Sequence, residues 1–158
     1  MSKNICLTRG KFALVDDDIY EYLNQWKWIY SNGYAIRDDK ISGKRIRMHR
    51  EILDADVGVE IDHINRDRLD NRKINLRVCS RSENRCNCGI RSDNTSGFKG
   101  VYWHKRMGKW RAVVHKNNKE ISLGYYSSPE DAAYAYDLGA KKYHGKFAVL
   151  NFKNTETE

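Results

Sequence analysis

The chain has 158 residues, with 29 Lys+Arg against 21 Asp+Glu, giving a formal net charge of +8. That length allows one ordinary domain or two to three small modules, and a hydrophobic content of 40% supports modest cores only. No apolar run approaches ~18 residues, so no transmembrane helix and no membrane partner are expected. The basic balance favours a polyanionic partner, through phosphate neutralisation and counterion release.

The opening residues, MSKNICLTRGKF, lack the apolar centre of a signal peptide. The expected location is therefore a reducing cytoplasm, that of a bacterial cell or a phage-infected host. Cys6, Cys79, Cys86 and Cys88 are then expected as thiols rather than as a disulfide framework. Cys86-Asn87-Cys88 leaves one intervening residue, short for a zinc knuckle, and no second Cys/His pair matches it, so structural zinc is not expected.

Residues 1–47 read as a β-rich lead that packs on the segment C-terminal to it. Ile5-Cys6-Leu7, Phe12-Ala13-Leu14-Val15 and Gly33-Tyr34-Ala35-Ile36 are short apolar runs between turn signals, which predicts strands. Asp16-Asp17-Asp18 predicts the acidic start of a short helix through Tyr20, Leu23 and Trp26. Trp26 and Trp28 are assigned to the core.

Residues 48–86 carry the chemistry. Asp62-His63-Ile64-Asn65 sets a histidine beside a carboxylate, and Asn75 and Asn84 follow thirteen and twenty-two positions after Asp62. Histidine has the unperturbed pKa of a general base near neutrality. Asp62 and Asn84 offer oxygens to a hard divalent cation, Mg2+ or Mn2+, which takes few protein ligands and fills the rest with water and phosphate. Asn75 can hydrogen-bond His63 and fix its tautomer. Adjacent strand residues point to opposite faces, so Asp62 and His63 can share a site only where the strand ends or bulges. Asp67, Asp70 and Asn71 are expected to shape the loop as Asx-turns. Ser80-Arg81-Ser82-Glu83 fits a capping box, placing Asn84 in the first turn of a short helix.

Residues 87–96 are polar and read as a linker. Residues 97–152 predict a meander of three strands, Val101–Trp103, Trp110–Val114 and Glu120–Gly124, and then a helix. Ser128 is its N-cap, Pro129 its first residue, Glu130 and Asp131 its acidic first turn, and Gly145 its stop. Lys99, Lys105, Arg106, Lys109, Arg111, Lys116 and Lys119 stand against one acid, Glu120, with Tyr102, Trp103 and Trp110 interleaved. A basic aromatic sheet suits the major groove of duplex DNA or stacked single strands. Residues 153–158 are read as a tail.

These motifs carry two resemblances. Met48-His49-Arg50, Asp62-His63-Ile64-Asn65, Asp70-Asn71, Asn75-Leu76-Arg77 and Glu83-Asn84 resemble the HNH endonucleases of the phage and intron-borne homing type. The resemblance implies a ββα-metal (His-Me finger) core within an α+β protein. It further implies His63 as general base, Asn75 as its orienting partner, Asp62 and Asn84 as holders of one catalytic divalent cation, and His49, on a strand-like motif, as a secondary site residue. The last histidine of the family pattern is replaced by Asn84, as that branch permits.

Phe98-Lys99-Gly100-Val101, Gly108-Lys109-Trp110, Leu123-Gly124-Tyr125-Tyr126, Glu130 through Asp137 and Ala148 through Phe152 resemble the plant Apetala-two/ethylene-response-factor DNA-binding domain. This implies a three-stranded antiparallel sheet packed on one helix, with the sheet in the major groove of double-stranded DNA. The contact candidates are Tyr102, Trp103, Lys105, Arg106, Arg111 and Lys119, with Trp110 in the core. Glu120 and Ser122 stand where plant members often carry Arg and Trp, so plant base preference does not transfer. The expected activity is metal-dependent hydrolysis of DNA phosphodiesters without an obligatory protein partner. The alternatives are a non-catalytic DNA-binding regulator on an HNH scaffold, a nuclease for RNA or junctions, and a zinc-stabilised binding module.

Overall fold

The computed structural model describes residues 1–152, so the proposed tail at 153–158 lies outside the described residues. The chain divides into two units, Met1–Ser80 and Arg81–Glu158. Among the described residues, no helix is long and apolar enough to cross a membrane.

The first unit begins with an antiparallel hairpin, β1 (Ser2–Cys6) and β2 (Phe12–Asp16). Helix α1 (Asp17–Asn24) comes next, with Asp17 and Asp18 in its first turn. Asp16 is its N-cap but makes no side-chain capping bond. Its Oδ2 instead accepts the Lys73 amide at 2.7 Å, from far along the chain. A second sheet orders β3 (Ile29–Ser31), β4 (Tyr34–Asp38) and β5 (Arg45–Arg47), all antiparallel. Helix α2 (Met48–Ile52) leads to the hairpin of β6 (Glu60–His63) and β7 (Leu76–Cys79). Met48-His49-Arg50, expected to be strand-like, is instead the opening of α2. Five residues are too few for a helical period to show in the sequence.

These pieces share one core. Ile5, Ala13, Val15, Leu23, Trp28, Ala35, Met48, Ile52, Ile61 and Leu76 form a buried cluster, so the N-terminal lead and the Asp-His hairpin pack together. Trp28 is fully buried and donates its indole N–H to Leu23 O at 2.8 Å; Trp26 packs at the margin. A buried charge pair ties α2 to β4. Arg37 Nη2 meets both Glu51 oxygens at 3.1 and 3.0 Å, Tyr22 O–H donates to Glu51 Oε1 at 2.9 Å, and the guanidinium lies 4.3 Å from the Trp26 ring. Arg50, beside His49, donates to Val59 O at 2.6 Å, to Ala55 O at 3.0 Å and to Asp56 O, fixing the approach to β6.

The second unit opens with helix α3 (Arg81–Cys86), whose last turn and exit are capped by Lys99, with Nζ 2.6 Å from both Cys86 O and Cys88 O. Strands β8 (Val101–His104), β9 (Lys109–Lys116) and β10 (Lys119–Tyr126) form the expected antiparallel meander. Asn117 and Asn118 take the left-handed backbone that a two-residue hairpin turn needs (φ 51° and 61°). Helix α4 (Pro129–His144) packs on the sheet through Ala132, Ala133, Tyr136 and Ala140. Ser128 Oγ accepts the Asp131 amide at 3.1 Å, and Gly145 ends the helix at φ 54°. Gly100 is dictated by contact, since a Cβ there would lie 2.1 Å from the Tyr136 ring. Asn151 closes the unit. Its Oδ1 accepts the Lys99 amide at 2.6 Å, while its own amide and that of Phe152 donate to Asp137 at 2.8 and 2.9 Å.

Removing one partner of the Arg37–Glu51 pair leaves a buried charge unmatched. Arg37→Ala is expected to destabilise the first unit by roughly 3–5 kcal/mol, read from urea unfolding monitored at that unit's own amide resonances. A loss below about 1 kcal/mol would show that the pair behaves as a surface contact.

Candidate functional site

The site grows from the 64–75 loop that joins β6 to β7. This loop is polar, and side chains supply much of its shape. Asn65 Oδ1 accepts the Asp67 amide at 2.8 Å, Asp67 Oδ1 accepts that of Leu69 at 2.9 Å, and Asp70 Oδ1 accepts that of Arg72 at 3.4 Å, three successive Asx-turns. Arg72 clamps the buried Asp70 carboxylate through Nε and Nη2 at 2.8 and 2.7 Å, which holds it below its ordinary pKa. Two backbone bonds dock the loop on β2. Leu14 N donates to Leu69 O at 2.8 Å, and Asn71 N donates to Leu14 O at 2.7 Å.

Asn71 does not form the expected Asx-turn. It is 1% exposed, its Nδ2 donates to Leu69 O at 3.1 Å, and its Oδ1 lies 3.3 Å from His63 Nε2. The Leu69 carbonyl therefore fixes which end of the amide faces the histidine. An amide oxygen only accepts, so Nε2 is the donor in this contact. Asn75 works one step further away. Its Oδ1 accepts the Asn65 amide at 2.9 Å, its Nδ2 donates to Asp70 O at 2.7 Å, and its carbonyl accepts the Ile64 amide at 2.9 Å. It locks the two ends of the loop beside His63, and Asn71 adds a side-chain contact to the imidazole.

Strand β6 ends at His63, where the Arg66 amide turns back onto His63 O at 2.8 Å. Asp62 pairs across the hairpin with Arg77, which donates to Oδ2 through Nε at 2.8 Å and Nη2 at 2.6 Å. Both Asp62 and His63 are 5% exposed. His49 projects from α2 onto His63, its ring edge-on at 5.0 Å. Burial pushes the His63 pKa down, opposed by the Asn71 contact. Burial, then the neighbouring His63, lowers His49 to about 3. Burial thus disfavours the charged form of both imidazoles.

Asn84 lies on α3 and belongs to the second unit. Among the described residues, no three His, Cys, Asp or Glu side chains converge as a metal cluster. Asp62 and Asn84 are hard oxygen donors of the kind that suits a divalent cation keeping most of its water.

In the second unit, Tyr102, Arg111 and Tyr125 stand in register across the outer face of the sheet. The Arg111 guanidinium lies 5.9 Å from each ring. Arg111 also donates to Glu120 Oε1 at 2.7 Å and to Ser122 Oγ at 3.3 Å. Trp103 is 47% exposed and meets its cross-strand neighbour Trp110 edge-on at 5.2 Å, while Trp110 packs against the core. Lys105 and Arg106 project from the β8–β9 turn, and Lys119 starts β10; all three are exposed. Tyr125 is an addition to the contacts expected from the sequence. Alternation from Glu120 and Ser122 turns it inward, but a bulge between Ser122 and Gly124 reverses the parity.

With this geometry in place, two family matches account for the two motifs: residues 54–86 match HNH endonuclease, and residues 96–146 match AP2 domain. The chain joins an HNH endonuclease domain to an AP2 domain. It is similar over 150 residues to an uncharacterized HNH endonuclease of Acanthamoeba polyphaga mimivirus, at 28% identity, covering 90% of this chain and 76% of the relative. Over 64 residues it is 41% identical to the AP2-like ethylene-responsive transcription factor PLT2 of Arabidopsis thaliana, covering 39% of this chain. A similar match, 41% over 66 residues and 40% of this chain, is to CRL5 of Oryza sativa subsp. japonica. The chain spans only about a tenth of these plant relatives, 11% and 10% of their lengths. The similarity to the mimivirus protein therefore runs through both domains, and that to the plant proteins through the AP2 domain alone.

The buried histidines of the HNH half predict an acid dependence. The folded pKa of His49, about 3, lies below the ordinary value near 6.5, so the unfolded chain takes the proton first. Stability falls as pH drops from 6.5 towards 3, by at most about 1.4 kcal/mol per pH unit for this group. Urea unfolding of the first unit at neutral pH and at pH near 5 should show that loss, and His49→Gln should flatten it. Equal stability of the wild type at both pH values would contradict the burial of a neutral imidazole.

Proposed function

We propose that the chain is a metal-dependent DNA endonuclease whose first unit, with Asn84, carries the chemistry of a ββα-metal core, and whose AP2 domain holds duplex DNA. The observation that carries the reading is the setting of His63: a buried imidazole with Nε2 3.3 Å from Asn71 Oδ1, at the end of a strand beside the Asp62 carboxylate.

In the proposed reaction, His63 Nδ1 takes a proton from water as the water oxygen attacks phosphorus. The bond from phosphorus to the 3′ oxygen breaks, leaving a 5′ phosphate and a 3′ hydroxyl after protonation of the leaving oxygen. Asp62 and Asn84 are the proposed ligands of one Mg2+ or Mn2+, which when bound supplies charge neutralisation at the scissile phosphate and the leaving oxygen. Arg77 holds the Asp62 carboxylate in place through two hydrogen bonds to Oδ2. Asn75 holds the loop that carries Asn71, and His49 fixes the plane of the His63 ring. In the AP2 domain, Tyr102, Trp103, Lys105, Arg106, Arg111 and Lys119 are the proposed DNA contacts, and Tyr125 joins them.

A plasmid nicking assay tests this reading. Wild type with Mg2+ or Mn2+ should relax or linearise supercoiled DNA, EDTA should stop it, and His63→Ala should lower the rate by roughly 10²–10⁴-fold. Intact plasmid, and intact random-sequence duplex, under every metal condition would refute the enzyme. Salt-sensitive DNA binding that survives such a result would make the chain a binding regulator.

A further inference from the structure

The face of the first unit around His63 carries cationic groups that the proposed chemistry does not use. Strand β4 starts at Tyr34, directly after the Asn32-Gly33 turn, which takes left-handed backbone at both positions (φ 50° and 86°). The Tyr34 ring lies 5.4 Å from the His49 ring and 6.2 Å from the His63 ring. Two guanidiniums stack on it: that of Arg47, at the end of β5, at 5.0 Å, and that of Arg68, from the 64–75 loop, at 4.7 Å. Arg68 is further steadied by Nη1 reaching Asn32 O at 3.4 Å, over the open surface that Gly33 provides.

Their electrostatic state differs from that of their neighbours. Arg37, Arg45, Arg72 and Arg77 each meet a carboxylate of this unit. Arg47 and Arg68 are exposed and, among the described residues, neither lies within ion-pair distance of an acid. A guanidinium in this state has uncommitted donors in a rigid fork that matches phosphate. Stacking on tyrosine restricts its rotamers beforehand, so less side-chain entropy is lost when a phosphate arrives. The nearest carboxylate in sequence, Asp67, is occupied with the Leu69 amide.

We propose that Arg47 and Arg68, braced on Tyr34, grip the phosphate backbone of duplex DNA next to the bond that His63 attacks. The Tyr34 ring on which both guanidiniums stack lies 6.2 Å from the His63 ring, so a strand they hold passes beside His63. Arg47 and Arg68 are positioning residues: they set where the strand lies over His63 and take no part in proton transfer. This inference rests on the nuclease reading for its catalytic consequence, but not for its DNA contact.

The test uses the full chain and the Arg47→Gln/Arg68→Gln double variant on one short duplex. Without metal, fluorescence anisotropy across a range of KCl should give a log–log salt slope smaller in magnitude by about 2 in the variant, close to one unit per lost phosphate contact. Both side chains are exposed, so the variant should keep the wild-type melting temperature. With metal, single-turnover cleavage should need roughly tenfold more enzyme for half-saturation, with a smaller change in the saturated rate. Tyr34→Leu keeps both charges, so it should keep the slope while weakening binding. An unchanged slope and affinity in the double variant overturns the clamp, whether or not wild type cleaves. A reduced slope with no cleavage by wild type leaves the clamp standing and refutes the nuclease.

Discussion

The Asp-His hairpin depends on a short parallel contact made far from it in sequence. Leu14 in β2 holds the 64–75 loop by two backbone bonds, one from its amide to Leu69 O and one from the Asn71 amide to its carbonyl. The loop has little apolar surface with which to fix its own shape. Without that anchor, Leu69 O and Asn71 lose their relative positions, and with them goes the orientation of His63. Asp16 adds a third tie through the Lys73 amide. The N-terminal hairpin is therefore the template on which the 64–75 loop is laid, and it shares a core with β6 and β7.

From that anchor a chain of polar contacts reaches the imidazole. Asx-turns bring Leu69 and Asp70 into place, Arg72 neutralises Asp70, and Asn75 closes the loop onto its own start. Each buried polar group in this series has a partner, as a site with fixed geometry needs. Burial disfavours the charged form of the two histidines packed beside this series. The second unit has a different plan, with Gly100 under the Tyr136 ring and Asn151 joining Asp137 to Lys99, just ahead of β8. That frame leaves its outer sheet face to aromatic and cationic side chains.

Much of this is legible in the sequence, and the failures have physical causes. Alternation and turn residues indicate the meander, and Ser128-Pro129 marks the start of α4, because those signals are local. Met48-His49-Arg50 looks extended since a five-residue helix shows no period, although Met48 and His49 are buried as a motif of core and site residues should be. Sequence spacing points to Asn75 and passes over the Asn71 contact to His63, since the docking of the loop on β2 brings Asn71 to the ring and no spacing records that. Tyr125 is hidden by a one-residue bulge. Tyr34, Arg47 and Arg68 come from three separated segments, so only the folded chain brings them together. Local signals are readable; arrangements that depend on a long-range bond are not.

The contact between His63 Nε2 and Asn71 Oδ1 calls for a proton on Nε2. The most direct measurement is the nitrogen-15 spectrum of the His63 ring at neutral pH, in wild type and in Asn71→Ala. The expected spectrum shows a protonated Nε2 and an unprotonated Nδ1 in wild type, and loses that single tautomer when the Asn71 amide is removed. A proton on Nδ1, or the same tautomer in both proteins, would contradict it.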